Sequence, residues 1–199
     1  LGTLVKEAIR SNIGGLESLI GVPGTLGGAL IMNAGAFGSE ISNYFEEAQT
    51  MTLDGHMKTY TKNNVNFSYR HSTFPEDELL IEATFKCHKG VTEQIQKDRK
   101  KASQNRKSNQ PLRYRSAGSI FKNPSNQLAA GYLIDKAGLQ GTHHGGACIS
   151  DKHANFIINL GEATAEDVFY LIRLAKNKVA EKFDVNLELE VKLVGFPKS

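Results

Sequence analysis

The sequence predicts an α+β fold, and three observations carry that prediction. Asp54-Gly55 stands between two strand-like runs, 48–53 and 57–61, the strongest short hairpin signal in the chain. Thr164 and Asp167 form a capping box opening a helix whose Val168, Leu171, Ile172, Ala175, Val179 and Phe183 recur at helical spacing. The last segment alternates: Leu187, Leu189, Val191 and Leu193 face one way and Glu188, Glu190 and Lys192 the other, as in a half-buried strand.

The elements follow in order. Residues 14–38 read as a loop and short helices packed around glycines. In Gly21-Val22-Pro23-Gly24-Thr25-Leu26-Gly27-Gly28, Pro and the glycines break any strand, and Pro23 ahead of Thr25 suits a helix start. Ala29 to Met32 forms the body of that helix, and Asn33-Ala34-Gly35 ends it. After the hairpin, Leu79 to Cys87 reads as a third strand. A helix then runs from about Thr92 to Arg106, between Gly90 and Pro111. Pro111 to Pro124 is read as a loop, and Leu128 to Ala137 as a short helix stopped by Gly138. Ala147 to Ser150 and Asn155 to Asn159 are short strands around a polar loop. The pattern changes after Gly90, so a domain boundary is expected there, giving 1–90 and 91–199.

Composition narrows the function classes. With 199 residues, 40% of them hydrophobic and 23% charged, the chain has the make-up of a water-exposed globular protein. No run approaches the ~18 apolar residues of a membrane span, so no membrane partner is expected. The start is no signal peptide, and it lacks an initiator Met, which suggests a piece of a longer chain. Cys87 and Cys148 make no disulfide framework and fit a reducing cytoplasm. The net charge of +3 suits an anionic small molecule or weak polyanion contact and does not single out nucleic acid. Lys97, Arg99, Lys100, Lys101, Arg106, Lys107, Arg113 and Arg115 crowd one segment, either a solvated face or a ligand-facing one.

Four places offer chemistry. The glycine-rich loop gives close backbone approach and unpaired N–H groups suited to a phosphate or a ring edge. The alternative is tight helix packing. It is neither a Walker motif nor a Rossmann fingerprint. Arg70, in Tyr69-Arg70-His71-Ser72, carries a guanidinium fork beside an aromatic ring, suited to a carboxylate; otherwise it is a surface arginine. Ser119, in Gly118-Ser119-Ile120-Phe121-Lys122-Asn123-Pro124, has a hydroxyl that protonates a carbanion-like carbon only where cations or N–H dipoles stabilise the alkoxide; Lys122 and the basic loop are expected to help. Otherwise it is a turn serine. Glu190 lies on the polar face of the last strand, either toward a cleft or toward solvent. His143, His144 and Cys148 fit no standard zinc spacing, so no metal is expected, and His153 is a pocket-lining or plain loop histidine.

In wording and order these segments resemble the UDP-N-acetylenolpyruvoylglucosamine reductase family, also called UDP-N-acetylmuramate dehydrogenases. The resemblance rests on Gly21 to Thr25, Asn33 to Gly38, Tyr69 to Ser72, Ala117 to Pro124, Ala130 to Asp135, Ser150 to Phe156 and Glu190-Val191, nearly the whole chain. It implies the C-terminal part of an FAD-binding domain followed by an α+β substrate-binding domain. FAD would be held by Val22, Pro23, Gly24, Thr25, Gly27, Gly28, Asn33 and Gly35, with NADPH as the reductant. Reduced flavin would pass a hydride to the vinyl carbon of the enolpyruvyl group. Arg70 and Glu190 would stabilise the enol(ate), and Ser119 would deliver the proton. Lys107, Asn123 and His153 would contact the UDP-sugar. The family's N-terminal Gly-Ser-Asn pyrophosphate loop is absent, about a hundred residues by ordinary domain size, so this chain alone is expected to bind FAD poorly and to be inactive. One rival expectation is a noncatalytic nucleotide-sugar or RNA-binding module, although no aromatic stacking platform supports RNA; a second is a different flavin oxidoreductase sharing the FAD fold. Oligomeric state is left open by the sequence.

Overall fold

A computed structural model describes residues 1–196 and divides the chain into two compact units, Leu1–Asn105 and Arg106–Ser199. Among the described residues no helix is long and apolar enough to cross a membrane.

The first unit begins with helix α1 (Gly2–Arg10), which buries Val5, Ala8 and Ile9 on one face. Strand β1 (Ile13–Gly14) and helix α2 (Leu26–Ile31) follow. Two short strands, β2 (Gly35–Ala36) and β3 (Ser39–Glu40), pair with each other. Next come β4 (Phe45–Thr52), β5 (Met57–Thr61), β6 (Phe67–Ser68), β7 (His71–Ser72), β8 (Glu78–Phe85), β9 (His88–Lys89) and helix α3 (Thr92–Asn109). The main sheet is antiparallel in the order β5-β4-β8. β1 pairs with β9 and β6 with β7. Phe45, Phe67, Phe74 and Tyr60 meet edge to face at 5.2–6.0 Å and, with Val5, Leu19, Leu30, Ile41 and Val65, fill the core.

The expected hairpin is present, with a different turn. Thr52 N–H donates to the His56 carbonyl at 2.9 Å, closing a three-residue connection, Leu53–Gly55. Gly55 alone takes a positive φ, 92°, so this is not the two-residue turn that Asp-Gly most often makes. Helix α3 reaches Asn109, and the unit boundary falls inside it rather than near residue 90. The reason lies in packing: Ile95 on its first turn is buried in the first core, so the N-terminal part of the helix, up to Asn105, belongs with what precedes it.

The second unit holds β10 (Arg115–Ser119), helix α4 (Ala130–Lys136), β11 (His143–His144), β12 (Ala147–Ile149), β13 (Phe156–Asn159) and helix α5 (Ala165–Phe183). Its antiparallel sheet runs β10-β13-β12-β11. The capping box forms as the sequence predicts: Thr164 Oγ1 accepts from Asp167 N–H at 3.1 Å, and Asp167 Oδ2 from Thr164 N–H at 2.9 Å. Leu171, Ile172, Ala175 and Val179 of α5 pack with Ile120, Phe121, Leu133, Ile134, Ile149 and Ile157 into one core.

The expected strand at 187–193 does not form. A single antiparallel bridge joins Phe121 to Leu189, and the ladder stops where the N–H groups of both Glu190 and Val191 converge on the Ile120 carbonyl, at 2.8 and 3.4 Å. The alternation survives as burial: Leu187 is buried and Leu189 and Val191 are packed on the core, but Leu193 is exposed.

Candidate active site

The first unit carries the glycine-rich loop and Arg70. Thr25 caps α2, its Oγ1 accepting from Gly28 N–H at 3.0 Å. Among the described residues the N–H groups of Thr25, Leu26 and Gly27 have no acceptor, as the first turn of a helix dictates. Gly24 has φ 111° and open space where a Cβ would stand. The Gly24 carbonyl accepts from the terminal amine at 3.3 Å. Pro23, Thr25 and Gly28 are exposed, Val22 and Gly27 half-buried. The loop therefore offers an exposed row of backbone donors with no side chain over its glycine, which fits a phosphate or flavin edge.

Asn33 is held inside the unit by its side chain. It is fully buried with φ 43°, and its Nδ2 donates to Glu40 Oε2 at 2.8 Å and to the Ser68 carbonyl at 3.0 Å, while Oδ1 accepts from Ser42 N–H at 3.4 Å. Its side chain ties β3 to β6. Gly35 is required by contact: a Cβ there would stand 2.8 Å from Glu40 Cγ and 3.0 Å from the Ser39 carbonyl. Its own carbonyl accepts from Arg70 Nη2 at 3.3 Å. Arg70 sits in the β6–β7 turn with φ 56°, uncommon for a non-glycine residue, and its guanidinium stacks 4.9 Å from the Tyr69 ring centroid. Asn33, Gly35 and Arg70 thus form one local constellation.

The second unit carries Ser119, Glu190, Asn123, Lys107 and His153. The stretch read as a loop is a strand, β10, and it is bulged: Ser116 pairs with Ile158 and Ser119 with Phe156, so one extra residue is inserted between them. Gly118, φ 87°, makes that bulge. It re-aims Ser119, which is half-buried and whose hydroxyl has no hydrogen-bond partner among the described residues. Glu190 lies half-buried one residue beyond, its N–H bonded to Ile120. Lys122 does not take up the expected role beside the serine; its Nζ lies 3.7 Å from the exposed Glu188 carboxylate, a surface pair of little energy.

Asn123 Oδ1 accepts from Ala130 N–H at 3.1 Å and so caps α4 from a distance in sequence. Lys107 is exposed on the last turn of α3, its carbonyl accepting from Lys152 Nζ at 2.6 Å. His153 packs edge-on to Phe156 at 4.9 Å and against Gly131 of α4. Burial holds it below the usual histidine range, and its Nδ1 accepts from Asn155 N–H at 3.2 Å, so the neutral ring carries its proton on Nε2. Cys148 is buried and donates to the Ile149 carbonyl, and among the described residues no group of three His, Cys, Asp or Glu could hold a metal.

One residue the sequence reading passed over belongs with these. Asn155 is buried inside the apolar run Ala154 to Ile158, and its side chain bonds both main-chain groups of Phe121. The available signal was an amide in an otherwise apolar strand, which a buried position tolerates only when it is paired.

Comparison with known proteins covers nearly the whole chain. A family model described as the C-terminal domain of UDP-N-acetylenolpyruvoylglucosamine reductase matches residues 110–194. UDP-N-acetylenolpyruvoylglucosamine reductase 2 of Bacillus cereus is 45% identical over 194 residues, 97% of this chain and 63% of the relative. The reductase of Enterococcus faecalis is 44% identical over 190 residues, 95% of this chain and 63% of that protein. The crystal structure of the Thermus caldophilus UDP-N-acetylenolpyruvylglucosamine reductase superposes with a TM-score of 0.84 at 39% identity, covering 96% of this chain and 68% of that one. The chain spans a little under two thirds of the length of the two curated relatives.

Proposed function

The chain belongs to the UDP-N-acetylenolpyruvoylglucosamine reductase family, and from that premise we propose that the whole protein reduces UDP-N-acetylenolpyruvoylglucosamine to UDP-N-acetylmuramate in the cytoplasmic stage of peptidoglycan synthesis. The observation that carries the reading is a bulge-presented, unengaged serine hydroxyl at Ser119, followed by Ile120 whose carbonyl accepts from the N–H of Glu190.

The residues fit FAD at the glycine-rich loop, because exposed backbone donors at 25–27 and the bare Gly24 suit an anionic or ring-edged group. When bound, FAD reduced by NADPH would supply the hydride. The chain's own residues do the rest. Ser119 Oγ–H gives its proton to the carbon bearing the substrate carboxylate, and the hydroxyl is restored from solvent. Half-burial of Ser119 limits competing water. Glu190 and Arg70 steady the enol(ate), Arg70 by its fork with a preset aim from the αL turn and the Gly35 carbonyl. His153, neutral at physiological pH, offers Nε2–H as a donor to the UDP-sugar, and Lys107 offers a cation to its diphosphate. Asn123 acts mainly through the start of α4 that it caps.

The test is NADPH oxidation by the full-length protein. Oxidation that depends on added UDP-N-acetylenolpyruvoylglucosamine, with UDP-N-acetylmuramate as product, is the expected result. NADPH oxidation indifferent to that compound would overturn the reading.

A further inference from the structure

Ser119 and Glu190 are both set by the two residues between them in space, Ile120 and Phe121. On one edge, the Ile120 carbonyl accepts from the N–H of Glu190 at 2.8 Å, and Lys122 N–H donates to the Glu188 carbonyl at 2.9 Å. On the other edge the β10–β13 ladder has ended at the Ser119–Phe156 pair. No further strand pairing is available to Phe121 there, and Asn155 takes the place of a strand. Its Oδ1 accepts from Phe121 N–H at 2.9 Å and its Nδ2 donates to the Phe121 carbonyl at 2.8 Å. Its main-chain carbonyl accepts from Ile120 N–H at 2.9 Å, and its own N–H is held by His153 Nδ1.

This is a clamp with both jaws closed. Phe121 is 1% exposed and Asn155 4% exposed, so water cannot substitute for either bond. A peptide pair gripped on both edges cannot rotate. The bulge at Gly118 lies just before Ser119, and the residues just after it are held by Asn155.

We infer that Asn155 is a positioning residue for proton delivery: its side-chain amide locks the Phe121 peptide groups, and through Ile120 that lock sets Ser119 against Glu190. The naming of the step rests on the proposed reductase reading, whereas the clamp does not.

The experiment uses the full-length, FAD-loaded protein with Asn155→Asp and Asn155→Ala. Asp keeps the acceptor and loses the donor; Ala loses both. Two readouts are taken. Amide hydrogen exchange at Phe121 is expected to quicken in Asn155→Ala, which removes its acceptor, and by less in Asn155→Asp, which keeps it. Reoxidation of the reduced flavin by UDP-N-acetylenolpyruvoylglucosamine is expected to slow by about tenfold to a hundredfold, the usual cost of a small misplacement, while flavin reduction by NADPH keeps its rate. Faster exchange with an unchanged substrate step would overturn the inference and leave Asn155 structural, as would an equal fall in both half-reactions. Unchanged exchange would overturn the clamp itself. If the parent protein ignores the substrate, the function reading fails and the exchange result still decides the clamp. Should neither Asn155 variant fold, Gly118→Ala strains the same joint through its φ of 87° without a clash, since a Cβ there meets nothing within 4 Å; it is expected to show the same split, and a parent-like substrate step would count against the inference.

Discussion

The backbone N–H of Glu190 donates to the carbonyl of Ile120 at 2.8 Å, which places Glu190 beside the peptide that follows Ser119. A serine is too weak an acid to protonate carbon unaided, so its value lies in where it is held and what stands near it. That relationship is formed within the second unit, whose strand β10 and C-terminal segment meet over a shared core.

Gly35→Ala is expected to damage the first unit's constellation. The new methyl would press on Glu40 Cγ and on the Ser39 carbonyl. Glu40 cannot swing away freely, because its carboxylate accepts from Asn33. A loss of about 1–3 kcal/mol, the usual cost of overpacking, should appear in thermal unfolding, together with weaker flavin binding by the full-length protein. A variant with parent stability would show that the β2–β3 hairpin yields where the contacts say it is rigid.

His153 should make the second unit acid-sensitive. Burial lowers its folded pKa below the ordinary ~6.5, and its Nδ1 can accept from Asn155 only when unprotonated. A depressed folded pKa means the stabilisation is fully present above the ordinary value and is lost as pH falls through the folded one. His153→Gln, which keeps an acceptor and cannot gain a proton, is expected to flatten the stability decline below pH ~6.5. A His153 ring that titrates by NMR at or above the ordinary value would contradict this.

Glu78 provides a second, more acidic limb. Its carboxylate is nearly buried and accepts from Lys58 Nζ at 2.5 Å, Thr50 Oγ1 at 2.5 Å and Tyr60 Oη at 3.1 Å. The Lys58 bond foremost, then that of Thr50, holds its pKa below the usual carboxylate range. The contribution is therefore present above about 4.3 and is lost as pH drops through the lower folded value. Denaturant midpoints measured from neutral to strongly acid pH should fall along this limb in the parent and much less in Glu78→Gln. Parallel curves for the two proteins would remove Glu78 from the account.

The chain by itself is expected to hold FAD weakly. Its loop supplies the backbone donors at 25–27, but the chain spans only 63% of the curated relatives' length. Incubation with excess FAD followed by desalting should leave little flavin absorbance. A strong retained band would show that residues 22–35 suffice.

Much of this was legible in the sequence because it is local. The Thr164–Asp167 capping box, the Asp54-Gly55 hairpin and the Gly138 helix stop are each written within a few residues. Other elements carry no such signature. Helix α1 has Leu1 at its N-cap and no side-chain cap, so nothing announces it. Strand β10 reads Arg-Ser-Ala-Gly-Ser, with no apolar alternation, and forms because β13 lies beside it. The left-handed turn at Arg70 is imposed by the β6–β7 pairing on a residue that does not favour it. The saturated Asn33 and the clamp of Asn155 on Phe121 both join residues far apart in the chain, and periodicity is blind to such pairs.

The most direct test of the central claim is a single-turnover measurement on the full-length protein carrying Ser119→Ala. The flavin is reduced with NADPH, the substrate is added, and the return of oxidised flavin is followed. The account predicts a parent-like reduction and a reoxidation slowed by about 10²–10⁴-fold, the usual share of a positioned proton donor. Reoxidation at the parent rate would contradict the assignment of the proton to Ser119.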